Sequence, residues 1–261
     1  MIEEPYRWVE AIANRREYIE TQLAAGSPIA AVGYRDGILL LTLGSTRQKI
    51  FEIYDRVAMG AIGHPGDIER LRMAAIELAS TEGFTRSAAD VSLRRLAHYS
   101  LSPVLKTAFE QVYGAPYLAR MLFTEVGAKA GDDLFLRVDY DGAIATNGGA
   151  FAQVQQDFGV LSGTQHSTDL MESFLRKEHH PGATFERAFR TALEVWGVGQ
   201  MALGQDGVKE LPVGEAIVAH RKEQLKTRGV EAAVLERNGT TAIRYRSLGD
   251  EEVRVALGNL D

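Results

Sequence analysis

The 261-residue chain is 45% hydrophobic and 25% charged, a globular balance with enough apolar residues to bury a large core. Its net charge of −6 argues against general nucleic-acid binding, because phosphate backbones require a basic surface. The absence of cysteine excludes disulfides, thiolate metal sites and a cysteine nucleophile, and it fits a cytoplasmic protein.

No segment predicts export or membrane insertion. The first residues lack a basic stretch followed by an apolar run, so they do not resemble a signal peptide. The longest apolar run, residues 37–43, is far too short to cross a bilayer and has the length of a buried strand. We therefore expect a protein that binds neither nucleic acid nor membrane.

The first part of the chain predicts one helix followed by two strand hairpins. Apolar residues spaced by three, four and seven indicate a helix over residues 5–25, and Gly26 is placed to end it. Asp36-Gly37 between two apolar runs is a strong hairpin signal. The predicted strands are residues 29–34, 38–43, 48–54 and 57–62.

Two helices are predicted next. Asp67 is expected to cap the first and Gly83 to end it, while the second covers about residues 89–113. Pro103 lies inside the second pattern, so a kink or a local break is expected there.

The remainder predicts four strands, two or three helices and a final hairpin. The strands are residues 117–126, 132–139, 143–146 and 157–161, and the helices are 166–178, 184–196 and 215–227. The hairpin pairs 230–236 with 241–246. Residues 197–214 are ambiguous, and the end after Asp250 either closes the fold or forms a tail.

This order of elements favours an α+β fold with sheets inside and helix layers outside. It is compatible with a four-layer α-β-β-α sandwich. Since no linker or repeat interrupts the chain, we predict a single domain over residues 1–261, with the leading helix in 1–26 and the sandwich in 27–261.

Several segments, taken in order, resemble the alpha subunits of bacterial and archaeal proteasomes, most closely the actinobacterial type. The strongest is QKIFEIYDRVAMGAIG at residues 48–63, with a lysine-isoleucine strand start, a Tyr-Asp-Arg-Val turn and a small-residue strand ending in glycine. The others are IERLRMAAIELASTEGF, YLARMLFTEVG, LFLRVDYDGAI and VLSGT. The resemblance extends from the first helix to about Trp196 and resumes in the final hairpin.

The resemblance implies the N-terminal-nucleophile hydrolase sandwich and a non-catalytic alpha-ring subunit of a proteasome core particle. Alpha subunits keep a helix before the first strand, on the outer face of a homo-oligomeric, seven-membered ring. The implied partners are proteasome beta subunits, which carry the catalysis, a ring-shaped ATPase or other activator, and unfolded protein substrates. We predict no cofactor and no metal.

Lys49 and Gly63 are the candidate binding residues. By resemblance they match a lysine and a glycine of the pocket between adjacent alpha subunits that receives the C-terminal carboxylate of an activator. An ammonium group in a partly dry cleft pairs well with such a carboxylate. The alternatives are a solvated lysine at a strand start and a glycine that serves a strand-ending turn.

Ser27 with Lys49 forms an alternative, catalytic pair. By resemblance, active subunits cleave themselves after a glycine, which places Ser27 at the nucleophile and Lys49 at the lysine that lowers its proton affinity. Leu43, however, stands where active subunits carry an aspartate, and the leading helix is too well patterned for a disposable propeptide. A self-processing peptidase is therefore the second choice, and a self-assembling scaffold without a protease partner is the third.

Three other motifs carry no predicted chemistry. The loop Ser162-Gly163-Thr164 matches one near the family's active site and is interpreted as a turn. His166, His179 and His180 predict no metal site, because adjacent histidines diverge on a helix. Residues 147–149 lack the lysine of a phosphate-binding loop, and Tyr6 alone does not reproduce the Tyr-Asp-Arg gate of archaeal alpha subunits.

Overall fold

Two antiparallel sheets form the centre of the fold. The computed structural model describes residues 5–44, 47–111, 113–146, 157–203 and 208–258, with side chains from residue 7 onward. Residues 147–149 and the side chain of Tyr6 lie outside the described part. The first sheet has the strand order β10-β9-β2-β1-β8, and the second has the order β3-β4-β5-β6-β7. The strands are β1 (Ile29–Tyr34), β2 (Gly37–Gly44), β3 (Ile50–Tyr54), β4 (Val57–Gly63), β5 (Ala119–Glu125), β6 (Leu134–Val138), β7 (Ile144–Thr146), β8 (Phe158–Leu161), β9 (Gly229–Glu236) and β10 (Tyr245–Ser247).

Helices cover the outer side of each sheet. Short 3-10 turns at Ala88–Asp90 and Ala130–Asp132 connect longer elements. Within the described ranges, no helix combines the length and the apolar character that crossing a bilayer requires. The α-helices are α1 (Pro5–Leu23), α2 (Pro65–Thr85), α3 (Leu93–Arg95), α4 (Ser102–Glu110), α5 (Gln165–Glu178), α6 (Phe185–Ala202), α7 (Gly214–Gln224) and α8 (Asp250–Gly258).

Three apolar cores lie between these layers. One core joins the first sheet to α5 and α6 and includes Trp196 and Phe189. A second fills the space between the two sheets, around Leu40 and Leu122. The third joins the second sheet to α2 and the helical segments up to α4. Apolar burial in three successive layers produces the α-β-β-α sandwich, so the predicted fold class is confirmed.

The predicted ends of α2 are wrong. The helix begins at Pro65 after His64, and the carboxylate of Asp67 instead accepts a hydrogen bond of 2.9 Å from the backbone N–H of Leu118. Gly83 lies inside the helix. A Cβ at this position would be 2.1 Å from the hydroxyl oxygen of Tyr54, so the glycine makes room for the packed Tyr54 side chain. It does not end α2, which continues to Thr85.

The break that Pro103 predicts is present as a π-helical turn, Leu96–Leu101, between α3 and α4. The N–H of Ser102 donates to the carbonyl of Ala97, five residues earlier. Proline cannot donate a backbone hydrogen bond, and the wider turn before it changes the spacing of the helix.

Helix α6 extends to Ala202, so its predicted end at Trp196 is wrong. The helix passes through Gly199, where a Cβ would lie 2.4 Å from the sulfur of Met171 on α5. At least one of the glycines that make residues 197–214 ambiguous in the sequence therefore serves close packing between two helices. The helix predicted over 215–227 corresponds to α7.

The final hairpin is shorter than predicted. Strand β10 begins at Tyr245, because the N–H of Arg244 donates to the carbonyl of Asp55 in the turn between β3 and β4. Residues after Asp250 form α8, whose Ala256 is buried in the core under the first sheet. The chain end up to Gly258 thus closes the fold.

Candidate functional site

Lys49, Gly63 and Ser27 line one cavity of about 510 Å³. The cavity lies where α1 leads into β1 and where β3 begins beside the end of β4. Arg47 and Glu69 add charged groups to its lining, and apolar side chains complete its wall: Phe51, Ala61, Ile62 and Ile68. The tertiary structure therefore brings together the three residues that the sequence singled out.

Lys49 directly precedes β3 and is only partly exposed. Its N–H donates to both carboxylate oxygens of Glu231, at 2.9 and 3.0 Å. Its ammonium forms no hydrogen bond or ion pair with any residue of the described ranges. Burial lowers the pKa of Lys49, the charge of Glu231 opposes this shift, and the nearby Arg228 adds to it. The side chain can therefore offer a cation to a ligand.

Gly63 ends β4 with φ of 131°, a conformation that favours glycine. A Cβ here would lie 2.0 Å from the carbonyl oxygen of Leu118, which also accepts the N–H of His64 at 2.7 Å. The backbone of Leu118, just before β5, lies too close to Gly63 for any side chain. This contact explains the glycine, so no ligand is needed to explain it.

Gly63→Ala is expected to lower the free energy of unfolding by about 1–3 kcal/mol, since alanine must adopt a strained backbone beside the Leu118 carbonyl. Chemical denaturation measures this change. Gly131→Ala is the matched control, because a Cβ there meets no atom within 4 Å. Equal stability of the two variants would contradict the assigned constraint.

Ser27 is buried, with 9% of its surface exposed. Its hydroxyl donates to the carbonyl oxygen of Leu43 at 2.9 Å and accepts from the indole N–H of Trp196 at 3.3 Å. The Leu43 side chain itself lies in the core. In the described part of the chain, no carboxylate and no lysine hydrogen-bonds to Ser27. The hydroxyl thus holds β2 and α6 together through these two bonds.

A buried arginine joins α1 to the sandwich. Arg120 on β5 contacts the carboxylate of Glu20 on α1 at 3.0 Å, and its Nε donates to Asp139 at 3.0 Å. It also donates to the carbonyl of Ser162 at 3.2 Å. The hydroxyl of Tyr140 donates to the same Glu20 carboxylate at 2.7 Å. These bonds tie α1 to β5 and to the segments that follow β6 and β8.

Apolar packing supports the same attachment. Ile19 and Leu23 of α1 are buried against Phe109 and Tyr140. A Cβ at Gly163 would lie 2.5 Å from the carbonyl oxygen of Leu23, so the loop after β8 packs directly on the end of α1. The loop forms a bend between β8 and α5, and it contacts the leading helix.

The histidines lie in separate environments. His166 Nε2 is 2.8 Å from the carbonyl of Val208, and His179 Nε2 is 2.8 Å from the carbonyl of Gly33. Among the residues that the structure describes, no group of three or more metal-ligating side chains occurs.

Sequence reasoning missed Arg120, Glu20 and Glu231. Arg120 is a charged residue inside a mostly apolar segment that the sequence predicts as a strand, and this is a signal that could have identified it. Glu231 occupies a similar place near the start of the apolar strand β9. The pairing of Arg120 with Glu20 and of Glu231 with Lys49 could not have been identified, because these partners lie 100 and 182 residues apart in the sequence.

Together, these features define an α-β-β-α sandwich with an N-terminal helix fixed to its surface and a cationic cavity beside that helix. The family described as proteasome subunit matches residues 24–196. The chain belongs to this proteasome subunit family and is of the alpha type, as the ordered segments predicted.

Curated relatives support the alpha type. A proteasome subunit alpha of a Nocardioides species is 31% identical over 72% of this chain and 70% of its own length. That of a Parafrankia species is 31% identical over 80% of this chain and 83% of its own. That of Kineococcus radiotolerans is 30% identical over 77% of each.

Proposed function

We propose that this protein is a non-catalytic alpha-ring subunit of a proteasome core particle and serves protein degradation. It assembles into a homo-oligomeric ring of seven copies, and that ring joins beta subunits that carry out the catalysis. The likeness to proteasome alpha subunits supports this class. The observation that carries the non-catalytic role is the bond from buried Arg120 to Glu20 of α1.

The attachment of α1 argues against self-processing at Ser27. A free N-terminus at Ser27 requires the loss of α1, which would remove Glu20 from Arg120 and expose the apolar partners of Ile19 and Leu23. Removing one of the two carboxylates that pair with a buried arginine is unfavourable, even though Asp139 remains. Removal of the helix would therefore destabilise the sandwich that a peptidase would need.

The cavity around Lys49 is proposed to receive the C-terminal carboxylate of a ring-shaped ATPase or another activator. Three features support this role: an ammonium without a direct ion pair among the described residues, a cavity large enough for a peptide end, and apolar wall residues. Gly63 contributes a backbone that has no side chain on the cavity wall.

The same proposal covers the location of the protein and its substrates. Residues 1–261 act as one unit in the cytoplasm, and the ring admits unfolded protein substrates to the beta subunits. In this role the chain requires no cofactor and contributes no catalytic residue.

Intact mass and particle images test the proposal. We expect the purified chain to retain residues 2–26 and to form symmetric rings, either alone or with a coexpressed beta subunit. A chain trimmed to begin at Ser27 that hydrolyses peptides would support the self-processing peptidase and overturn the proposal. Rings that bind no beta subunit would instead favour the scaffold alternative.

A further inference from the structure

The start of β3 is held by a carboxylate from the opposite sheet. Glu231 lies on β9 of the first sheet, whereas β3 is an edge strand of the second. Besides the two contacts with the N–H of Lys49, Glu231 Oε1 accepts the N–H of Ile50 at 2.8 Å. The carbonyl of Lys49 accepts the N–H of Ala61 on β4 at 2.9 Å. The Lys49 backbone is therefore held from two sides.

This arrangement leaves the Lys49 ammonium available. The oxygens of Glu231 are occupied by backbone N–H groups, and Glu231 lines a second cavity of about 450 Å³. The two cavities share Arg47 and Gln48 in their walls. The Glu231 carboxylate thus lies near Lys49 but does not bind its ammonium, which stays open to a ligand. The same carboxylate holds the first residues of edge strand β3, which would otherwise fray.

The charges around Lys49 come from several elements. Glu231 faces it from β9 and Arg228 from the segment before β9, while Arg47 and Glu69 line the same cavity. Burial raises the pKa of Glu231, and the two backbone N–H bonds and Lys49 oppose that shift. Glu231 is the negative charge that favours the protonated form of Lys49.

We propose that Glu231 is the positioning residue of this site: it fixes the backbone of Lys49 at the start of β3 and provides the countercharge for an ammonium that faces the cavity. The inference deepens the proposed function, because it rests on Lys49 receiving a carboxylate. In this proposal Lys49 binds an anion, and Glu231 of the first sheet fixes the position of the Lys49 backbone.

Two variants separate the bonds from the charge. Glu231→Gln retains an oxygen that can accept the N–H groups but removes the charge, whereas Glu231→Ala removes both. Glu236→Gln, a change at a half-exposed residue of the same strand that pairs with Arg246 away from Lys49, is the matched control. The readouts are hydrogen exchange at the amides of residues 49 and 50 and the NMR titration of ¹³C-methylated Lys49, assigned with Lys49→Arg.

Glu231→Ala is expected to speed exchange at both amides at least about tenfold, which corresponds to about 1.4 kcal/mol. Glu231→Gln is expected to leave most of this protection and to lower the pKa of Lys49, since the charge that raises it is lost. The control should change neither quantity. Unaltered exchange in the alanine variant, or an unaltered Lys49 titration in the glutamine variant, would overturn the inference.

A binding experiment keeps the two proposals distinguishable. The Lys49 signal of the unmodified chain is followed while acetyl-Ala-Leu-Ala with a free carboxylate, or its amide, is added. A response to the acid alone supports the carboxylate site, and equal responses contradict that part of the proposed function. The exchange and titration measurements need no ligand, so they decide the role of Glu231 in either case.

Discussion

Replacing Arg120 with methionine is expected to lower the free energy of unfolding by about 3 kcal/mol, because it leaves the carboxylates of Glu20 and Asp139 without their shared cation. The arginine side chain is only 6% exposed, whereas Glu20 is 42% exposed, so the loss lies at the low end of the range for a buried pair. Denaturant unfolding measures the stability. Limited proteolysis of α1, followed by intact mass, measures its release from the sandwich.

An exposed ion pair provides the control for this prediction. Arg254 and Glu251 are each 72% exposed on α8, and Arg254→Met should change stability by no more than about 0.5 kcal/mol. Destabilisation by Arg120→Met together with faster cleavage within α1 supports the attachment. If the variant unfolds at the wild-type denaturant concentration and α1 stays protected, Arg120 does not fix the helix.

Lys49→Ala is expected to weaken activator binding by roughly 30-fold or more, equivalent to about 2 kcal/mol for the loss of one partner of a charge-assisted contact. Ring formation and association with beta subunits should be unchanged, because the Lys49 ammonium forms no hydrogen bond or ion pair with the described side chains that hold the fold together. Activator-stimulated degradation of an unfolded substrate and the binding constant of the activator measure the effect.

The same site predicts a pH dependence. Burial lowers the pKa of Lys49, so the ammonium loses its proton at a lower pH than an exposed lysine does. Binding of a carboxylate should therefore be present at neutral pH and fall as the pH rises through that lowered value. Lys49→Arg should remove this alkaline loss, since arginine remains charged throughout the range.

Lys226→Ala is the control for the Lys49 variant. Lys226 is exposed and forms an ion pair with Glu223 at 2.6 Å, away from the cavity lining. It should bind the activator as the unmodified chain does. Equal binding by the Lys49 and Lys226 variants would show that the activator does not use this lysine.

The local sequence was sufficient to predict most elements and the family. The hairpin that Asp36-Gly37 predicts is present between β1 and β2, but its two turn residues are Arg35 and Asp36, because Tyr34 pairs directly with Gly37, the first residue of β2. An apolar run predicts a strand, and a turn motif predicts the connection to the next strand. Both signals can be read from the sequence because each depends only on residues a few positions apart. The ordered segments around residues 48–63 also sufficed to recognise the proteasome alpha type, which the family match supports.

The tertiary structure alone decided how several residues are used. The sequence predicts that Gly83 ends a helix, yet Gly83 and Gly199 both lie inside helices, where they make room for Tyr54 and Met171. Glu231 meets Lys49 across 182 residues of sequence, and Arg120 meets Glu20 across 100. A local pattern determines which conformation a segment favours. Folding alone brings distant groups within hydrogen-bond distance of each other. These contacts decide which charges are paired and which lysine remains available to a ligand.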